Sequence, residues 1–421
     1  MPPSSKDRLV SFLRWTEKYT KTDMVYLASG GFWGVAAQIS AMVITLALSI
    51  VIARYVPKDA YGTYKYILGI VALLSVFSLN NVSGAVMQSV VHGFTGAVED
   101  GFKATLRWSF IVFLGAFALG AYYLFAGNTT LGLGILLGGC AAPFLAGYNL
   151  YLPLLSGKKD FRRVAWYSGF VTNIVPAILL IVIAITDPRP LPLLAAYFFG
   201  NIAAAAYAYY RARERYRSAN VSDPEMLRYG KHLSVIGILG GIADNIDQIL
   251  LFHFVGPAQL AVYNFAIALP DQAKGPLKNL DSMMQAQFSG RTDREIRIGM
   301  TNKILWVFLA CAAGILVYVL LAPFVFRILF PKYIEAAAFS QLYALAYLAN
   351  SLNPAISYLS VRKKVREQYV SAIANAIMRI AAMTIGVVTA GLVGLILARI
   401  VSRAGYLLLN YALYRRSVAP A

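Results

Sequence analysis

Nine ionisable side chains fall inside long apolar stretches in the second half of this 421-residue chain: Asp244, Asp247, Asp271, Lys274, Lys278, Asp281, Arg379, Arg399 and Arg403. In a stretch that crosses a bilayer, a charge at mid-depth costs about 3 kcal/mol or more, so each needs a partner or water. Asp271, Lys274, Lys278 and Asp281 step by three, four and three. On one helix that spacing gathers them into a stripe about 80° wide. Such a stripe faces either a partner helix, as a self-neutralised seam of Asp271–Lys274 and Lys278–Asp281 pairs, or the water of a central cavity. Asp244, Asp247 and Gln248 share another face. Either carboxylate could carry H+ or Na+, since partial desolvation favours the protonated acid; equally, they could pair with Lys274, Lys278 or Arg379. Asn375 and Arg379 stand at i, i+4, as do Arg399 and Arg403, with no acid nearby in sequence. Arginine suits phosphate. Arg379, Arg399 and Lys274 or Lys278 are therefore candidates to bind an anionic head group, with Arg403 closer to the inner surface. Asp244, Asp247, Asp271 and Asp281 are the candidate ion-coupling residues.

The elements that must position these groups follow from composition. Hydrophobic residues make up 59% of the chain and charged ones 14%, against roughly 25% in soluble proteins. A bilayer core of about 30 Å needs about 20 apolar residues in a helix. That ruler predicts an all-α integral membrane protein with spans at 31–54, 66–90, 107–126, 131–155, 164–186, 192–210, 233–255, 259–288, 303–326, 336–358, 368–389 and 391–413. The eighth holds Pro270 and Pro276 and should kink. Residues 6–21 suit a basic amphipathic helix lying on the membrane surface.

The net charge of +19 comes from Lys and Arg in short bursts between apolar runs. With the N-terminus inside, the inner connections hold 27 basic residues and the outer ones 6, flanking residues counted with the loop they adjoin. That asymmetry orients both termini to the cytoplasm and argues against nucleic acid as the partner. The basic runs at 158–163, 211–217 and 362–366 read as topology signals. Arg54 and Lys65, near the outer edge, can snorkel. Cys140 and Cys311 read as small buried hydrophobes. No cluster has metal-ligand spacing, no phosphate-binding lysine loop is present, and no cofactor is implied. Gly237, Gly240 and Gly241 read as helix-packing positions.

The longest inner connection divides the chain. An amphipathic segment (1–30) precedes a six-helix lobe (31–210), a linker (211–232), a second six-helix lobe (233–413) and a tail (414–421). The lobes read as repeats. Val56–Pro57–Lys58–Asp59–Ala60–Tyr61–Gly62 corresponds to Val255–Gly256–Pro257–Ala258–Gln259–Leu260–Ala261, and Leu155–Ser156–Gly157–Lys158–Lys159 to Leu359–Ser360–Val361–Arg362–Lys363. Six spans per half make the repeats parallel, around a central cavity.

These residues also carry a resemblance. Ile52–Ala53–Arg54–Tyr55–Val56–Pro57 through Tyr64 resembles the first outer turn of oligosaccharide flippases, the O-antigen and polysaccharide transporters of the multidrug/oligosaccharidyl-lipid/polysaccharide superfamily. Ile246–Asp247–Gln248–Ile249–Leu250 and Ala261–Val262–Tyr263–Asn264–Phe265–Ala266 resemble the start of that family's second half. Leu329–Phe330–Pro331–Lys332–Tyr333 resembles its outer turn before span ten. The resemblance implies a two-lobed fold that moves a polyprenyl-diphosphate-linked oligosaccharide to the outer leaflet by alternating access, for cell-surface polysaccharide synthesis. It implies no enzyme activity. The expected partners are the lipid-linked oligosaccharide, membrane lipids, a coupling H+ or Na+, and polysaccharide polymerase machinery. The alternatives are a cation-coupled antiporter of the same superfamily, and a membrane-embedded polymerase or ligase. The last would need a longer outer loop than this sequence offers.

Overall fold

The computed structural model describes residues 24–79, 81–216, 221–289, 291–362 and 364–418. For 24–30, 233, 236, 276, 278–280, 282, 283, 286 and 365 it describes the backbone alone. The amphipathic segment expected at 6–21 lies outside the described residues.

The described chain is helical throughout, with no strand. In order, the first half holds α1 (Met24–Tyr55), α2 (Lys58–Ser75), α3 (Val82–Val91), α4 (Ala97–Trp108), α5 (Phe110–Phe125), α6 (Thr129–Tyr148), α7 (Tyr151–Gly157), α8 (Phe161–Val164), a π-helical segment (Ala165–Val171), α9 (Thr172–Thr186) and α10 (Pro190–Arg215). The second half holds α11 (Met226–Phe254), α12 (Pro257–Asp271), α13 (Lys274–Ser289), α14 (Asp293–Leu329), α15 (Ala336–Ala344), α16 (Asn353–Val361) and α17 (Val365–Val418). Among the described residues, seven helical runs are long and apolar enough to cross a membrane, and an eighth, bent by 50°, passes if its two pieces count as one. This is a multi-pass membrane protein.

Several expected spans are not single rods. The second, 66–90, is α2 and α3, with α2 ending at Ser75 and α3 beginning at Val82. The tenth, 336–358, is α15, a 3-10 stretch at Leu345–Leu352, and α16. The eighth breaks between Asp271 and Lys274, where α12 ends and α13 begins, rather than kinking at Pro276. Pro276 thus stands in the first turn of α13, where a missing N–H costs nothing. The single charged stripe over 271–281 is divided by this break. The last helix, α17, is a hairpin. Ala390 and Gly391 leave helical geometry, and Gly391 takes φ +56°, a conformation that suits glycine. Ser371 Oγ then donates to Asn410 Oδ1 across the hairpin.

Packing explains how the halves are joined. The main apolar core takes residues from both: Ile52, Val56, Tyr61, Tyr64 and Ile67 with Leu260, Tyr263, Phe265, Phe330 and Tyr333. These flank the ends of the chain's poorly charged connections. At the basic end there are two smaller cores, the first of which also takes Met226 from the start of α11. One is built on Val86, Val90, Leu154 and Tyr209, the other on Phe288, Ile296, Tyr358 and Tyr414. Small residues let α2–α3 lie along α11 and α12. A Cβ on Gly62 would land on the Pro257 carbonyl, and one on Gly241 would meet Val76. Gly237 likewise abuts Asn81, whereas Gly240 faces open space. Polar contacts reinforce the fused end: Lys58 pairs with Glu335 at 2.6 Å, and Lys332 Nζ donates to the Arg54 carbonyl at 2.5 Å.

Two expectations need correction. Cys140 is exposed on its helix and Cys311 is half-exposed, because the outer surface of a membrane bundle is itself apolar and needs no burial. Lys65 does not snorkel; it lines a cavity against α11.

At the basic end, Asp160 caps α8. It accepts from the Arg163 backbone N–H at 3.2 Å, the Arg163 guanidinium at 2.5 Å and the Tyr216 hydroxyl at 2.6 Å. Burial by itself would raise this carboxyl, but the Tyr216 and Arg163 hydrogen bonds and the Arg163 charge together hold it below the ordinary carboxylate range. A depressed carboxylate stabilises the fold above its unfolded-state value near about 4 and ceases to do so as pH falls through its lowered value. Asp160→Asn should therefore lower the thermal midpoint in detergent at pH 7, with the gap to wild type closing at lower pH. A gap that is constant from pH 7 down to about 3 would refute this. For the fused end, Gly62→Val should lower the midpoint by several degrees and Gly240→Ala should not, as read by size-exclusion thermostability.

Candidate functional site

The second-half charges converge because four separate elements bring them together. α11 supplies Asp244 and Asp247, the α12–α13 break supplies Asp271 and Lys274, and the two arms of α17 supply Arg379, Arg399 and Arg403. They meet at a cavity of about 480 Å³ lined by Asp244, Lys274, Tyr343, Asn350, Asn353, Asn375, Arg379, Arg399, Ser402, Arg403, Tyr406 and Leu407.

At its base lies a buried ion pair. Asp247 is 3% exposed. Its Oδ2 accepts from Arg399 Nη1 at 3.0 Å and from the Tyr263 hydroxyl at 2.5 Å, and its Oδ1 accepts from the Gln248 N–H at 2.9 Å. Arg399 also donates to Tyr263 Oη and lies against the Tyr263 and Tyr343 rings, 5.8 and 5.4 Å from their centroids. Desolvating two charges is costly unless their remaining hydrogen-bond capacity is met, and here hydroxyl, backbone and ring faces meet it.

A second knot adjoins it. Asp271 accepts from Lys274 at 2.7 Å, Tyr347 at 2.7 Å and Tyr343 at 2.9 Å. Arg403 lies 4.3 Å from the Tyr347 ring centroid and donates twice to Asn350 Oδ1, at 2.9 and 3.2 Å. Asp244 pairs with Arg379 across the cavity mouth. Asp281 stands apart and accepts from Asn353 Nδ2 at 3.1 Å; among the described residues it has no ion-pair partner. The Lys278 side chain lies outside the described residues.

The structure thus brings together Asp244, Asp247, Asp271, Lys274, Arg379, Arg399 and Arg403. It adds a set that the charges alone do not reveal: Tyr263, Tyr343, Tyr347, Asn350, Asn353 and Tyr406. A signal for part of this set exists, since Tyr343, Tyr347 and Asn350 recur at i, i+4, i+7 and so share a helical face. It is hidden among 27 tyrosines.

A larger cavity of about 700 Å³ lies between the first half and α11, lined by Lys65, Ser75, Ser83, Thr105, Asn149, Tyr197, Asn245 and Gln248 among others. Lys65 rests over the Tyr61 ring at 5.5 Å and has no carboxylate partner among the described residues. Thr105 Oγ1 and Gln248 Oε1 are buried beside it without a hydrogen-bond partner among the described residues.

Residues 27–269 match the family described as polysaccharide biosynthesis protein. The chain belongs to that family. The match covers the first half and continues through α11 into α12, taking in Lys65, Asp244, Asp247 and Tyr263. Among solved structures, this family member is similar to the inward-facing conformation of a multidrug resistance MATE family transporter of the MOP superfamily, at 14% identity over 90% of this chain and 94% of that one, with a TM-score of 0.63. The outward-facing conformation of a transporter so described gives 0.58 at 14% identity, over 92% and 95%. A MOP superfamily transporter from Pyrococcus furiosus, described as having a binding pocket of reverse polarity, gives 0.62 at 12% identity, over 92% and 95%. These likenesses establish a MATE-like fold. No curated protein matches the sequence.

Removing one member of a buried ion pair strands the other. Asp247→Asn should destabilise this family member by about 3 kcal/mol, read as a lowered thermal midpoint in detergent. The paired change Asp247→Leu/Arg399→Met should recover part of the loss. An unchanged midpoint in Asp247→Asn would mean that this carboxylate does not hold Arg399.

Proposed function

We propose that this chain is a flippase that carries a polyprenyl-diphosphate-linked oligosaccharide from the cytoplasmic to the outer leaflet by alternating access, for the synthesis of a cell-surface polysaccharide. The observation that carries this reading is the excess of cationic side chains around one membrane-embedded cavity. Arg379, Arg399, Arg403 and Lys274 line it; Asp244, Asp247 and Asp271 pair with Arg379, Arg399 and Lys274, which leaves Arg403 as the cation in excess. Guanidinium forks match phosphate oxygens in geometry as well as charge. Arg379, Arg403 and Lys274 are then the diphosphate ligands, and Arg399 sets the positive potential from below while bound to Asp247. The neighbouring cavity, with its amides, hydroxyls and Lys65, is suited to sugar hydroxyls.

In this reading the chain has twelve spans, with the broken helices counted as single crossings and α17 as two. They form two parallel six-helix lobes, 31–210 and 233–413, joined by a cytoplasmic linker at 211–232 and followed by a cytoplasmic tail. Support comes from the juxtaposition of the matched turns at Gly62 and Pro257 and from the 27-to-6 distribution of basic residues. A shared core at the sparsely charged end and two smaller cores at the basic end suit a state closed to the outside and accessible from the cytoplasm. Asp244, released from Arg379 when a diphosphate takes the arginine, would be free to exchange H+ or Na+. Polymerase machinery on the outer side would consume the delivered lipid.

A second reading, a cation-coupled antiporter of small molecules, is favoured by Asp281, which faces Asn353 with no cation paired to it among the described residues. The two separate in vesicles. With a fluorescent lipid-linked oligosaccharide, wild type should show leaflet exchange, and Arg379→Ala and Arg403→Ala should each reduce it at least tenfold with normal insertion. Wild-type rates in both variants would remove the phosphate site. Cation-driven drug uptake abolished by Asp281→Asn, without lipid exchange, would replace the flippase reading.

A further inference from the structure

A third cavity lies on the other side of α1, away from the transport charges. It is a groove of about 830 Å³ between α1 and the segment running from α8 into the π-helix, closed by the end of α10. Its lining belongs wholly to the first half. Ala36, Ala37 and Ser40 form a small-residue floor, Trp33, Trp166 and Phe170 are aromatic walls, and Arg162, Arg163 and Arg215 stand at the rim. The opposite face of α1 turns to the second half, where Gln38 abuts Gly275. The helix itself therefore separates this groove from the Arg379–Arg403 cavity.

The groove is built rather than incidental. A π-helix widens one turn and leaves carbonyls without their usual partners, and side chains take them up here. Asn173 Nδ2 donates to the Ser168 and Gly169 carbonyls at 2.7 and 3.2 Å, and Thr172 Oγ1 donates to the Tyr167 carbonyl at 3.0 Å. Gly169 lets α1 approach so closely that a Cβ would strike Ala37. The wider turn sets Trp166 on the outer surface, 54% exposed, stacked on Phe170 at 5.0 Å.

Its charge is not balanced. Arg163 is neutralised by Asp160, whose second interaction is with Tyr216. Arg162 rests over Trp33 at 5.9 Å and Arg215 over Tyr216 at 6.0 Å. Neither has a carboxylate within ion-pair distance among the described residues. Among the described residues the nearby acids are committed elsewhere, Glu214 to Arg211 and Glu99 to Arg213 and Lys103. Two guanidiniums with no carboxylate partner among the described residues, one exposed and one half-buried indole ring and an apolar floor at the basic end of a membrane bundle match a phosphate with hydrocarbon attached below it.

We propose that this groove is a binding site for an anionic phospholipid of the cytoplasmic leaflet, with Arg162 and Arg215 holding the headgroup phosphate. Trp33 and Trp166 flank the glycerol, and the acyl chains run along Ala37 and Phe170. The lipid ties α1 to α8 and α10. The site is independent of the transported substrate, because α1 stands between the two.

Native mass spectrometry of the full chain in detergent, titrated with phosphatidylglycerol, phosphatidylcholine or inorganic diphosphate, tests this. Phosphatidylglycerol should bind at least fivefold tighter than phosphatidylcholine, and free diphosphate should not displace it. Arg162→Gln/Arg215→Gln should abolish that preference, and Trp166→Ala, which leaves every charge in place, should weaken phosphatidylglycerol binding at least twofold. Arg415→Gln/Arg416→Gln, an equal loss of charge at another loop, should change nothing. Equal affinities in wild type and the Arg162/Arg215 variant would overturn the proposal. So would displacement of phosphatidylglycerol by a polyprenyl diphosphate at equal concentration, which would make the groove a station for the transported lipid.

Discussion

Arg399 and Asp247 are held together in a medium that solvates neither, and much of the second half is arranged around that fact. A buried pair is tolerable when every remaining donor and acceptor is occupied. Tyr263 from α12, the Gln248 backbone from α11 and the Tyr343 ring from α15 occupy them here. The same tyrosine, with Tyr347, also donates to Asp271. One hydrogen-bonded cluster therefore ties α11, α12, α15 and the second arm of α17. With Arg379 paired to Asp244 and Lys274 to Asp271, the cavity cation left without a carboxylate partner among the described residues is Arg403, which donates to Asn350.

Broken helices are the means by which backbone and side chains reach these positions. A continuous helix over 257–289 would carry Asp271 and Lys274 on a rigid stripe with Lys278 and Asp281. The break after Pro270 lets α12 stay in the fused core while α13 runs with α16 in a separate one. The 3-10 stretch at Leu345–Leu352 similarly presents Tyr347 and Asn350 to Arg403. Irregular backbone of this kind is tolerated at membrane depth where it borders protein or a polar cavity.

The two ends of the molecule are packed differently. At the sparsely charged end, aromatic and aliphatic side chains from both halves form one core, reinforced by Lys58–Glu335 and Lys332. At the basic end there are two smaller cores, and the halves contact each other along α3 and the start of α11, through Asn81–Ser234 and Gln88–Tyr229.

The membrane class, the helical fold, most apolar runs and the residues whose charge demands an explanation were legible in the sequence, because the cost of exposing polar groups to lipid leaves its mark on composition and spacing. The groups that answer that demand were not. Whether Asp247 takes Arg399 or Arg379, and whether Lys65 snorkels or lines a cavity, depends on which helices pack together, and pairing across 152 residues of chain leaves no local pattern. Tyrosines looked alike in sequence because a ring in a lipid belt and a ring beneath an arginine obey the same hydropathy. The tertiary structure separated them by placing a charge within reach of Tyr263, Tyr343 and Tyr347 and lipid-facing surface beside the others, such as Tyr122.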